Sequence, residues 1–187
     1  SSYEGIAMVQ NDAARLNRIV VDAFLRNGER AISVQPSSAV VTKNSKIVRW
    51  DTEAVKNMLS NRLLPVPYGD VAMDAANGCS IISTEEIFSY LARALGAKRI
   101  ILVGKVDGVL DSSGKVVPVI SRKNFSDVKG CLQGSDGADV TGGMLHKVEM
   151  MLELVGSGIR SEVINGLVAG NLERALLGKD VLKTEIR

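Results

Sequence analysis

A chain of 187 residues with 45% hydrophobic and 24% charged side chains is long enough to bury a substantial core and has the length of one ordinary domain. Its formal net charge of +2, from 23 Lys plus Arg against 21 Asp plus Glu with no long basic run, argues against a duplex-binding surface. No apolar run reaches the ~20 residues that a membrane helix needs, and Cys79 and Cys131 have neither metal-ligand spacing nor a disulfide framework. The lone histidine, His146, has no second His or Cys near it, so no zinc site is expected. With no signal-peptide pattern at its start, the chain is expected to be a soluble cytoplasmic protein.

In chain order, Ile6, Val9, Ala13, Leu16, Val20 and Phe24 recur at helical spacing up to Asn27-Gly28. Residues 31–35 read as a short strand closed by Pro36, and Lys43-Asn44-Ser45-Lys46 as a polar turn before Ile47-Val48. Asp51 or Thr52 caps a helix that carries Ala54, Val55, Met58 and Leu59. Leu63 to Val66, Tyr68-Gly69-Asp70 and Val71 to Met73 read as strand, turn and strand. Asn77-Gly78 marks another turn before the strand Ser80 to Ile82. Ser83 or Thr84 caps the next helix, with Glu85 and Glu86 in its first turn, where the dipole favours them, and Gly96 at its end.

Residues 99–104 form a nearly continuous apolar run, the pattern of a parallel strand covered on both faces. A helix from Met144 to about Val155 leads through Gly156 and Gly158 to a strand at 162–164, a helix near 172–177 and a short final strand. Strands alternating with helices predict an α/β domain of three layers, an αβα sandwich around a mainly parallel sheet, without an internal boundary.

Asp139-Val140-Thr141-Gly142-Gly143-Met144-Leu145-His146-Lys147 is the most informative segment. Its glycines let backbone amides approach a ligand, and the helix that follows presents unpaired N–H groups and a positive dipole end. Lys147 stands about one turn into that helix, where its ammonium can turn back to the same point. Two readings stand for these residues alone: a helix-entry turn, or a phosphate-binding corner. Tyr68-Gly69-Asp70, Gly104-Lys105-Val106-Asp107-Gly108 and Asn165-Gly166 also fall at predicted strand ends, where ligands gather in such sheets. That convergence favours the phosphate corner.

The chain resembles the amino acid kinase superfamily, and within it the archaeal-type isopentenyl phosphate kinases, over essentially its whole length. The resemblance rests on Gln35-Pro36-Ser37-Ser38, Pro67-Tyr68-Gly69-Asp70-Val71, Val106-Asp107-Gly108-Val109, Asp139 to Lys147, and Gly170-Asn171-Leu172-Glu173-Arg174-Ala175-Leu176. It implies ATP-dependent phosphorylation of isopentenyl phosphate to the diphosphate, with magnesium, by a homodimer that takes neither nucleic acid nor membrane as partner. It places Lys105, Asp107, Leu110, Gly143 and Lys147 beside ATP, with Lys147 neutralising charge on the transferring phosphoryl group. It places Thr84 at the acceptor and assigns no residue as a metal ligand.

The chain departs from the family pattern in three places. The family opens with a strand ending in a Lys-x-Gly-Gly-Ser loop and continues to a Gly-rich segment ending in histidine. This chain starts inside the helix that follows, so residues 1–187 are expected to be one amino acid kinase domain lacking those first elements. Where the family usually has Ser-Gly-Asp, this chain has Ser83-Thr84-Glu85, and the β-branched Thr84 crowds a position that glycine leaves open. Where the family usually has Thr-Asp-Val-Asp-Gly, it has Gly104-Lys105-Val106-Asp107-Gly108, which reverses a charge beside the nucleotide. Two alternatives follow from these departures: another small phosphate, phosphonate or carboxylate acceptor, or a catalytically impaired nucleotide-binding relative.

Overall fold

In the computed structural model, which describes residues 3–132 and 143–187, residues 1–95 form one unit and residues 96–187 a second. The first unit begins with helix α1 (Tyr3–Arg26) and strand β1 (Ala31–Val34), followed by a single 3-10 turn at Pro36–Ser38. Next come β2 (Val41–Lys43), β3 (Lys46–Arg49), α2 (Glu53–Ser60), β4 (Leu64–Pro67), β5 (Asp70–Asp74), β6 (Gly78–Ile82) and α3 (Thr84–Leu95). Strands β1 and β4 pair in parallel, and the other four form a mixed sheet in the order β3-β2-β5-β6.

The two hairpins of this sheet share one anchor. Asn44 and Ser45 both adopt positive φ, as a two-residue hairpin turn between β2 and β3 requires. The Asp74 carboxylate, buried at the end of β5, accepts the N–H groups of Asn44 at 3.1 Å and Ser45 at 2.7 Å. It also accepts those of Ala76 and Asn77, at 2.9 and 3.0 Å, in the β5–β6 turn, and the Thr42 hydroxyl at 3.0 Å. The core beneath gathers Val40, Trp50, Ala72, Ile82, Ile87 and Leu91, with Trp50 stacked on Tyr90 at a centroid distance of 6.0 Å.

Helix α1 spans the expected residues but is turned differently from the expected apolar face. Asn17 and Val21 point inward, whereas Leu16, Val20 and Phe24 face outward. On the same helix Met8 and Ile19 are 64% and 67% exposed. The rotation is set by a polar residue. The Asn17 amide donates to the Val66 carbonyl at 3.0 Å and accepts the Ser33 hydroxyl at 2.5 Å, tying α1 to β1 and β4. The caps also resolve: at α2 the Asp51 carboxylate receives the Glu53 N–H at 2.9 Å while Thr52 makes no side-chain cap bond, and at α3 the Ser83 hydroxyl receives the Glu86 N–H at 3.2 Å.

The second unit comprises β7 (Arg99–Gly104), β8 (Val119–Ile120), α4 (Phe125–Leu132), α5 (Gly143–Val155), β9 (Arg160–Asn165), α6 (Asn171–Leu176) and β10 (Lys183–Ile186). Its sheet runs β7-β9-β10-β8, with β7–β9 and β10–β8 parallel and β9–β10 antiparallel. Across both units parallel pairs predominate, as expected, with antiparallel pairs at β2–β3, β5–β6 and β9–β10. Val103 of β7 is 50% exposed, so the expected cover on both faces is incomplete there. Helix α5 buries Val148, Met150, Met151, Leu152 and Leu154, and Ser161 of β9 donates to the Met151 sulfur at 3.0 Å. Ile164, Ala175, Val181 and Ile101 pack together as a further cluster.

Candidate functional site

Strands β7 and β9 end side by side, with Gly104 in register with Asn165. Such adjacent carboxyl ends of parallel strands are where ligands settle in α/β sheets. Just beyond them the Gly166 N–H donates to the Gly104 carbonyl at 2.8 Å. A Cβ at Gly166 would run into Val103 Cγ1, so only glycine allows this close crossing of backbone over β7. The Asn165 amide then reaches across and donates to Asp107 Oδ1 at 2.9 Å, while its own Oδ1 accepts the Leu167 N–H at 2.9 Å.

Behind this pair, the Asn171 amide at the start of α6 donates to the Asn165 carbonyl at 3.0 Å. Arg174, one turn further on, donates to Asn171 Oδ1 at 2.8 Å. Asn171 is buried, so its two bonds satisfy donor and acceptor in a place that water does not reach.

The loop that carries Asp107 is fixed from β10. The buried Thr184 hydroxyl accepts the Val109 N–H at 2.7 Å and donates to the Val117 carbonyl at 2.7 Å. A Cβ at Gly108 would lie 2.6 Å from the same oxygen, which explains the glycine after Asp107. Leu110 bridges to Val116 and remains 37% exposed. Between them Asp111 accepts the Ser113 hydroxyl and the Lys115 N–H, and these bonds hold its carboxyl below the usual value. Lys105, immediately past β7, is exposed.

Gly143 opens α5 with φ +62, a conformation that glycine adopts without strain, and a Cβ there would meet nothing within 4 Å. Lys147 stands four residues later on the same helix face, half-buried. Of the expected phosphate-binding segment, Asp139, Val140, Thr141 and Gly142 lie outside the described residues. An open helix entry of this kind presents amide N–H groups to an anion.

Thr84 belongs to the first unit and begins α3. A Cβ on Gly69 would stand 3.1 Å from Thr84 Oγ1, so the hydroxyl rests against the turn between β4 and β5. Next to that turn, buried Asp70 accepts the Ser37 N–H at 2.9 Å through Oδ2. Burial, with the Asp70 charge second, pushes the Tyr68 phenol above its ordinary value, against a Gln10 hydrogen bond and the Arg18 charge. The structure thus ties Asp107 to Asn165 and Thr84 to Gly69, and places Gly143 and Lys147 one turn apart.

Asn165 falls in the Asn165-Gly166 pair expected at a strand end, whereas Asn171, Arg174 and Thr184 were not expected as site residues. The available signals were the Asn-Gly pair ending an apolar strand and the Gly-Asn-Leu-Glu-Arg run, both of which fall at this corner.

Parallel strands β7 and β9 ending together, with helices on the chain between them, define an α/β protein. Comparison with known proteins makes the class definite: the chain belongs to the amino acid kinase family, whose model matches residues 3–165. It is 36% identical over 187 residues to the isopentenyl phosphate kinase of Methanothermobacter thermautotrophicus, covering 97% of this chain and 70% of that protein. It is 39% identical to the enzyme of the same name from Methanocaldococcus jannaschii, covering 98% and 68%. A solved isopentenyl phosphate kinase structure superimposes with a TM-score of 0.83 at 32% identity, covering 98% of this chain and 70% of that one. Among the described residues no helix is long and apolar enough to cross a membrane.

Proposed function

We propose that this protein is an ATP-dependent kinase that converts isopentenyl phosphate to isopentenyl diphosphate, acting in the cytoplasm as a homodimer. The observation that carries this reading is the 36–39% identity to isopentenyl phosphate kinases over nearly the whole chain. The local geometry fits it. Gly143 leaves open space at the entry of α5, where amide N–H groups can receive phosphate oxygens, and Lys147 brings a positive charge one turn later. ATP supplies the phosphoryl group. Lys147 neutralises charge as that group moves, because phosphoryl transfer depends on positioning and electrostatics more than on covalent help.

Asp107 and Leu110 flank the nucleotide on the loop held by Thr184, and exposed Lys105 adds a positive charge at the end of β7. Magnesium would ride chiefly on phosphate oxygens, since no group of three or more His, Cys, Asp or Glu gathers among the described residues. Thr84 lies at the acceptor, where its β-branched side chain narrows the space that glycine would leave open. The full-length protein, incubated with ATP, magnesium and isopentenyl phosphate, should release ADP and form the diphosphate. Absence of ADP release with every isoprenoid monophosphate tried would overturn the assignment.

The contact between Thr84 and Gly69 favours one alternative, a different small phosphate, phosphonate or carboxylate acceptor, because it fills space at the start of α3. Profiling these acceptors side by side distinguishes the two readings by which compound gives the highest kcat/KM.

A further inference from the structure

We infer that Asn165 is a positioning residue for nucleotide binding, acting through Asp107 and itself braced by Asn171 and Arg174. The inference rests on the reading that Asp107 faces the nucleotide, and it assigns a role to residues of β9 and α6. Three consecutive bonds carry it. Arg174 Nη2 donates to Asn171 Oδ1 at 2.8 Å, Asn171 Nδ2 to the Asn165 carbonyl at 3.0 Å, and Asn165 Nδ2 to Asp107 Oδ1 at 2.9 Å.

An asparagine side chain has one acceptor oxygen and two donor hydrogens. In Asn165 the oxygen is used by the Leu167 N–H, so the amide plane is fixed and its nitrogen can only turn toward Asp107. Asp107 Oδ2, in contrast, accepts no hydrogen bond from the described residues. One oxygen of the carboxylate is therefore tethered, which fixes the orientation of the group. As an anion it suits donor groups such as sugar hydroxyls, whereas the phosphates have Gly143 and Lys147. The close crossing at Gly166 keeps this arrangement against the end of β7, so Asn165 cannot drift without moving that backbone.

The test uses the full-length protein and ATP, with affinity measured by calorimetry and kinetics measured separately for each substrate. Asn165→Asp keeps the acceptor for Leu167 but replaces the donor by a like charge facing Asp107. It should weaken ATP binding by about tenfold or more while the KM for the acceptor stays put. Arg174→Ala, remote from the ligand and on an exposed helix surface, should weaken ATP in the same direction by about two- to threefold. Combining Asn165→Asp with Asp107→Asn should cost less than the two single effects added together.

An unchanged ATP affinity in both Asn165→Asp and Arg174→Ala, with only a lower melting temperature, would show a merely structural role and overturn the inference. If Asp107→Asn weakens ATP while the Asn165 and Arg174 variants do not, the relay alone falls. If Asp107→Asn leaves ATP affinity untouched, the nucleotide corner itself is misplaced and the relay falls with it.

Discussion

Thr184 holds Val109 by its side chain: one hydroxyl on β10 accepts the Val109 N–H and donates a hydrogen bond to the Val117 carbonyl, both at 2.7 Å. Because the hydroxyl is buried, removing it leaves a donor and an acceptor without partners. Thr184→Val is expected to destabilise the protein by about 2–4 kcal/mol, for two lost bonds with unmet groups. Thr184→Ser should retain most of the stability. Urea denaturation curves of the three proteins check this, and the loosened 106–118 loop should also raise the KM for ATP in the valine variant.

Asp74 makes the first unit acid-sensitive. Hydrogen bonds hold its carboxyl well below the usual carboxylate range, the Ser45 N–H first, with Ala76, Asn77 and Thr42 adding to it against the cost of burial. The folded value is thus lower than the unfolded one of about 3.9. A group depressed on folding stabilises the fold fully above its unfolded pKa, and that stability drains as pH falls toward the folded value. Asp74→Asn, which keeps one acceptor and loses the charge, should lower the thermal midpoint at pH 7 and flatten its decline below about pH 4. Equal slopes in wild type and variant across that window would contradict the assignment.

Much of this architecture is written locally in the chain. The Asn44-Ser45 turn, the Asn77-Gly78 turn, the acidic first turn of α3 and the glycine that ends it all follow from side-chain chemistry within a few residues. What was not legible depends on partners distant in sequence. The rotation of α1 is decided by Asn17 meeting Val66 and Ser33, so counting apolar residues picked the wrong face. The antiparallel pairing of β10 with β9 leaves no mark on apolar patterning, which encodes burial and not strand direction. β8 has two residues, too few to show a period. At the site, Asp107 and the helix entry at Gly143 stood out because glycines mark them. Asn165 showed only through its Asn-Gly pair at a strand end, and Asn171 and Arg174 not at all, since their roles come from one another across two elements.

Glu162 ties three strands of the second unit. It is buried on β9, with Lys183 of β10 at 3.1 Å and Arg99 of β7 at 3.8 Å from Oε1, and Arg99 also donates to the Ala175 and Leu176 carbonyls at the end of α6. Deleting the anion would leave two cations without their shared partner, and because Arg99 and Lys183 still reach solvent the cost falls below the about 3–5 kcal/mol of breaking a fully buried pair. Glu162→Ala should therefore unfold at clearly lower denaturant than wild type. Arg187→Ala, whose 3.7 Å pair with Glu185 is exposed on the arginine side, should change stability by less than about 1 kcal/mol.

The proposed acceptor end offers a change in the opposite direction. Thr84 Oγ1 would lie 3.1 Å from a Cβ at position 69, a distance at which one group must give way. Gly69→Ala is expected to push Thr84 further over the start of α3 and lower kcat/KM for isopentenyl phosphate several-fold, with ATP affinity unaltered. Thr84→Gly removes the obstruction and frees backbone for the acceptor, at a cost of about 1 kcal/mol in helix stability. Its kcat/KM for isopentenyl phosphate should rise by about three- to tenfold, the scale expected when one small group leaves a substrate pocket. Glycine at 84 with a lower kcat/KM than threonine would mean that the hydroxyl is a binding group rather than an obstacle. In that outcome the natural acceptor is one that hydrogen-bonds Thr84, and the panel of phosphates, phosphonates and carboxylates should then contain a compound preferred over the isoprenoid.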